Sequence, residues 1–216
     1  MALSKVNFNS LNLTPTASKT VVFNSSNNGI EAGDVGGSMV LISELTASSS
    51  ATLSFTSGID STYKEYIFKF IDIHPSSTDV NGESFKFNFS IDGGSNYNVT
   101  KTSTAFKAYH EEAGNYTGLR YETSDDLAQS TGYQYIGTMI ANAGDDTSLS
   151  GYLHLFDPSN TTFVKHFIGT SSQNSTYANH ITFGGYGNTT SAINAIDFKA
   201  ISGTLDSGTI DLYGVK

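Results

Sequence analysis

The chain has 216 residues with 11 basic against 20 acidic side chains, a net charge of −9 and no cysteine. That balance excludes a phosphate-neutralising basic surface, so nucleic-acid binding is not expected. It also leaves no disulfide framework, thiolate metal site or cysteine nucleophile. Apolar residues make up 38% and charged residues only 14% of the chain. The core must therefore come from Phe, Ile and Leu, under a surface covered largely by Ser, Thr and Asn.

Residues 1–37 have their own texture. Val6, Phe8, Leu11, Leu13, Val21, Val22 and Phe23 are spaced among Asn, Ser and Thr, and the Gly-rich Gly33-Asp-Val-Gly-Gly37 follows. A short β-hairpin or extended arm fits, with Gly36-Gly37 as a hinge. The segment is either the first strand and loop of the domain or an arm that anchors on a partner chain. In the second case Val6, Phe8, Leu11, Leu13, Val21 and Phe23 are its candidate docking residues.

From Ser38 strands come quickly. Met39–Leu45 is one, and Ala51–Phe55 alternates as a half-buried strand. Tyr63–Ile73 is a long aromatic and β-branched run that reads as a central strand ending at His74-Pro75, because proline cannot donate to a ladder. Phe85, Phe87, Phe89 and Ile91 alternate with Lys86, Asn88 and Ser90, and Asp92-Gly-Gly closes that strand with turn chemistry. Asn98–Tyr109 continues as one or two strands. Residues 110–132, rich in acids, read as a long surface loop with a short helix or strand. Tyr133–Ile140 and Leu149–Phe156 flank 142–146 as a hairpin. Phe163–Ile168, Ile181–Tyr186, Ile193–Ile201 and Thr209–Tyr213 complete the sheets, and only residues near 188–195 suggest a helical turn. Eleven or twelve strands at this spacing, without helical periodicity, predict an all-β chain: an antiparallel two-sheet β-sandwich, most simply a jelly roll, over 38–216 with an N-terminal arm over 1–37.

Chemistry is sparse. Glu111/Glu112, Asp125/Asp126 and Asp145/Asp146 supply carboxylate pairs of the kind glycoside hydrolysis needs, but neighbours on a strand face opposite ways, so solvated loop acids are the simpler reading. Asp92-Gly-Gly-Ser and Gly144-Asp-Asp-Thr lack the spaced acids of a calcium loop. His154 and His166 fall on strands expected to be adjacent, yet no third ligand is identifiable, so no metal site and no cofactor are assigned. There is no nucleophile elbow and no phosphate loop, and no catalytic residue is named. Tyr116, Tyr121, Tyr133 and Tyr135 lie near the polar middle, as subunit contacts, ordinary packing or sugar-stacking groups. No stretch approaches the roughly 18 apolar residues of a membrane span. The opening Met-Ala-Leu-Ser-Lys leads into no signal-peptide apolar region, so synthesis in a cytosol is expected.

Several stretches resemble virion structural proteins of marine tailed bacteriophages. They include Phe23-Asn-Ser-Ser-Asn-Asn-Gly-Ile-Glu31, Leu53–Ile73, Phe89-Ser-Ile-Asp-Gly-Gly-Ser-Asn-Tyr97, Leu149-Ser-Gly-Tyr-Leu-His-Leu-Phe156 and Ser207-Gly-Thr-Ile-Asp-Leu-Tyr-Gly-Val-Lys216. The resemblance covers most of the chain from Phe23 onward, and none of its motifs is catalytic. It implies a jelly-roll-like domain on a phage particle, made in the host cytoplasm, acting as a capsid decoration or head fibre and not as an enzyme. The arm would then dock on other virion proteins, the major capsid protein or tail and fibre components. The alternative it leaves is a tail-fibre module that recognises host-surface glycan. Homo-oligomerisation, with a trimer as the state expected of the class, would cover sheet edges and add avidity.

Overall fold

A computed structural model describes residues 19–23, 26, 29–34, 38–76, 83–140, 147–174 and 176–216. Val6, Phe8, Leu11 and Leu13, the glycine hinge and the acid pair Asp145/Asp146 lie outside them. Among the described residues there are fourteen strands and no helix, so no helix is long and apolar enough to cross a membrane. The chain divides into two compact units, Met1–Ser38 and Met39–Lys216.

In the first unit β1 (Lys19–Phe23) and β2 (Ile30–Asp34) form an antiparallel hairpin with Phe23 opposite Ile30. Val22 packs over Gly33, where a Cβ would come within 2.4 Å of a Val22 methyl, so only glycine fits. The alternate residues Val21 and Phe23 are exposed. Among the described residues each strand pairs only with the other.

The second unit holds β3 (Met39–Thr46), β4 (Leu53–Phe55), β5 (Glu65–Pro75), β6 (Glu83–Ser90), β7 (Lys101–Glu111) and β8 (Thr117–Tyr121). Then follow β9 (Gln134–Ile140), β10 (Leu149–Phe156), β11 (Lys165–Asn174), β12 (Tyr177–Gly187), β13 (Ala195–Ala200) and β14 (Leu205–Val215). They make an eight-stranded sheet, β3-β14-β5-β10-β11-β12-β7-β8, and a four-stranded sheet, β4-β13-β6-β9. Every pairing is antiparallel. The chain crosses between sheets as β3, β4, β5, β6, then β9, β10, then β13, β14. The orders β3-β14-β5-β10 and β4-β13-β6-β9 are the interleaved Greek keys of a jelly roll. Two inserted pairs, β7–β8 and β11–β12, widen only the first sheet.

The sheets meet through phenylalanines. Tyr66, Phe68 and Phe70 alternate inward on β5, which lies between β14 and β10, and Phe85, Phe87 and Phe89 do the same on β6. Phe198 of β13 sits among them, with ring centroids 5.5 Å from Phe68, 5.4 Å from Phe70 and 5.8 Å from Phe85. Edge-to-face contacts such as Phe70–Phe85 at 5.2 Å are the geometry aromatic quadrupoles favour.

Residues 110–132 hold a short strand within the loop, as expected: β8, which pairs with β7, itself running on to Glu111. Three other expectations are corrected. The acids there are not simply solvated: Glu111 is half-buried on β7, and Asp125 is buried. β9 and β10 do not form a hairpin; the chain changes sheets between them, so β6 is the partner of β9 and β5 that of β10. Residues 188–194 are irregular and not helical, and Ala195 opens β13.

Candidate functional site

The eight-stranded sheet outgrows the four-stranded sheet that covers it. On β12, β7 and β8 the inward side chains change from Phe and Ile to Tyr, Asn, Lys and Arg. There a bay of about 350 Å³ opens, lined by Lys107, Tyr109, Tyr116, Arg120, Tyr177 and Asn179. That volume is at the small end of ligand pockets.

Strand register places the groups. Asn179 lies opposite Tyr109, and Tyr177 opposite Glu111. Across the other edge of β7, Tyr109 faces Gly118 and Lys107 faces Arg120. The Tyr109 and Tyr177 rings meet edge to face at 6.1 Å. The Arg120 guanidinium carbon stands 5.8 Å from the Tyr109 ring centre, a cation–π placement. Gly118 makes room for this ring, because a Cβ there would stand 2.7 Å from the Tyr109 hydroxyl oxygen. Tyr116 closes the β7–β8 turn, in which the Glu111 N–H donates to the Tyr116 carbonyl and Gly114 takes φ +75°.

Electrostatics below the bay are balanced. Lys107 Nζ donates to Glu122 Oε2 at 3.1 Å, and Arg120 donates to the same carboxylate through Nε and Nη2. Burial pushes the Glu122 carboxyl up, but hydrogen bonds from Arg120 and Lys107, with their charges, outweigh it and hold its pKa below the ordinary value. Beside Tyr177, Glu111 Oε1 accepts the Tyr177 hydroxyl at 3.3 Å. Glu111 Oε2 is buried without a hydrogen-bond partner among the described residues.

The four tyrosines singled out in the sequence do not come together. Of them only Tyr116 lines the bay. Tyr121 is on the outer face of β8, where its hydroxyl donates to Asp126 at 2.7 Å. Tyr133 donates to Asp197 Oδ2 at 2.8 Å and carries Lys199 Nζ over its ring at 4.1 Å. Burial, and then the Asp197 hydrogen bond, push the Tyr133 phenol well up. Tyr135 is half-buried in β9, opposite Lys86. Tyr109, Tyr177, Arg120 and Asn179 were missed, because only the register of β12, β7 and β8 joins them.

Elsewhere His154 pairs with Glu65, and its strand β10 lies beside β11, which carries His166. Among the described residues no three His, Cys, Asp or Glu side chains are grouped to hold a metal. Asp92 binds Ser90 and Asn96, and these bonds lower its pKa to about 2, as a turn-capping carboxylate.

Compared with known proteins, the chain matches no family model and no curated protein. Among solved structures it is matched with the infectious bursal disease virus VP2 subviral particle at 10% identity and a TM-score of 0.15. The match covers 91% of this chain and 46% of that one, so the chain spans less than half that protein's length. A score this low carries no argument about fold or function.

Proposed function

We propose that the chain is a structural component of a tailed-phage virion, an external capsid decoration or head fibre that docks through its N-terminal unit. The observation that carries this reading is the division of labour between the two units. The second unit closes its own phenylalanine core, whereas the first offers a hairpin whose strands pair, among the described residues, only with each other, with Val21 and Phe23 exposed. A lone two-stranded hairpin is marginal in water, so a partner strand or surface is what such a segment needs. The sequence resemblance from Phe23 onward points to virion proteins as that partner. Val6, Phe8, Leu11 and Leu13 add further apolar residues towards the N-terminus in sequence. The jelly roll then faces outward, and copies assemble to shield the edges at β3 and β8.

The test is incorporation. A chain lacking residues 1–38 is expected to fold and to be absent from particles assembled in its presence. Normal occupancy by that truncated chain contradicts the docking role.

A further inference from the structure

We infer that the bay between β12, β7 and β8 is a binding site for a single uncharged pyranose unit of a saccharide. The site belongs to the jelly roll alone and does not depend on where, or whether, the chain sits on a particle.

Three observations define the ligand class. First, the walls are Tyr109, Tyr116 and Tyr177, aromatic side chains of the kind that pack against the C–H face of a pyranose. Tyr116 is 63% exposed, far more than a packing tyrosine needs, and is held at the mouth by the β7–β8 turn. Second, polar groups of both senses converge. Arg120 has N–H groups beyond the two that hold Glu122, Asn179 brings a carboxamide whose N–H₂ donates to the Tyr177 carbonyl at 3.4 Å, and the tyrosine hydroxyls both donate and accept; behind the lining, Glu111 Oε2 is a buried acceptor without a partner among the described residues. A polyol, each of whose hydroxyls both donates and accepts, satisfies such a set, whereas an anion satisfies only the donors. Third, formal charge cancels. Lys107 and Arg120 are matched by Glu122 and Glu111, and the whole chain carries −9, so an acidic sugar or a phosphate gains nothing on approach. The volume of about 350 Å³ suits one sugar ring and little more.

The experiment is a titration of the full chain with methyl pyranosides of glucose, galactose, mannose, rhamnose and N-acetylglucosamine, and with methyl glucuronide, followed by NMR of the tyrosine ring protons. The expected result is a millimolar dissociation constant for at least one neutral glycoside. Tyr116→Ala is expected to weaken it about five- to tenfold, with the thermal midpoint unchanged. Tyr152→Ala, on the outer face of β10, is expected to leave it unaltered. The proposal is overturned if no neutral glycoside binds, if methyl glucuronide binds best, or if Tyr116→Ala binds as tightly as the parent.

Discussion

Lys107 of β7 and Glu122, the residue after β8, meet at 3.1 Å with side chains only 3% and 6% exposed. This pair ties the segment after β8 beneath the sheet edge, where the Glu122 N–H also donates to the Ala105 carbonyl. Breaking a buried pair from one side strands the other charge, which costs about 3–5 kcal/mol. Glu122→Gln is therefore expected to lower unfolding free energy by about that amount in urea titrations, and Lys107→Met combined with Glu122→Gln to recover part of it. Because the Glu122 pKa is lowered on folding, its contribution is present at neutral pH and is lost as pH falls through the carboxylate range.

Lys101 adds a rise of the same sign in a more alkaline window. Its side chain is fully buried, its ammonium donates to Asn88 Oδ1 and Val99 O, and burial lowers its pKa from 10.5 to about 7. Between those two values the unfolded chain holds a proton that the folded chain lacks, so stability rises with pH across that window. For one proton the slope approaches about 1.4 kcal/mol per pH unit. Unfolding measured from pH 7 to 10 is expected to show this rise in the parent and a flatter profile in Lys101→Met.

Phe198 is the centre of the core, touching rings from β4, β5 and β6. Phe198→Ala removes contacts to both sheets at once and is expected to cost about 3–5 kcal/mol in denaturant unfolding. Phe198→Leu is expected to cost distinctly less. Near-equal losses for the two variants would mean that the ring contacts, and not the volume filled, carry the contribution.

Gly118 sets the shape of the bay. Gly118→Ala places a methyl where the Tyr109 ring lies, and overpacking of this kind costs about 1–3 kcal/mol. The ring must move, so saccharide binding is expected to fall at least as far as in Tyr116→Ala. Unchanged tyrosine ring shifts in the variant would contradict that placement of Tyr109.

The sequence made the sandwich legible where one face is buried. Phe85, Phe87 and Phe89 alternate cleanly because Lys86 and Asn88 point away from the core, and Tyr66–Ile73 stands out because β5 is flanked on both edges. β7 and β8 were harder to see. Their inward residues past Ala105 are Lys107, Tyr109 and Glu111, so the apolar alternation that marks a strand fades where the sheet leaves its cover. The same loss hid the bay, whose Tyr109 and Tyr177 are 68 positions apart in sequence and joined only by register. The change of sheet between β9 and β10 was also hidden, since a crossover and a hairpin begin with the same turn residues.

The most direct test of the virion assignment is cryo-electron microscopy of intact particles, at a resolution that traces the jelly roll. The account predicts this density on the outer capsid surface in many copies, with the N-terminal hairpin against the underlying shell. Particles that lack the density, or that hold the chain with its hairpin free of any neighbour, would contradict it.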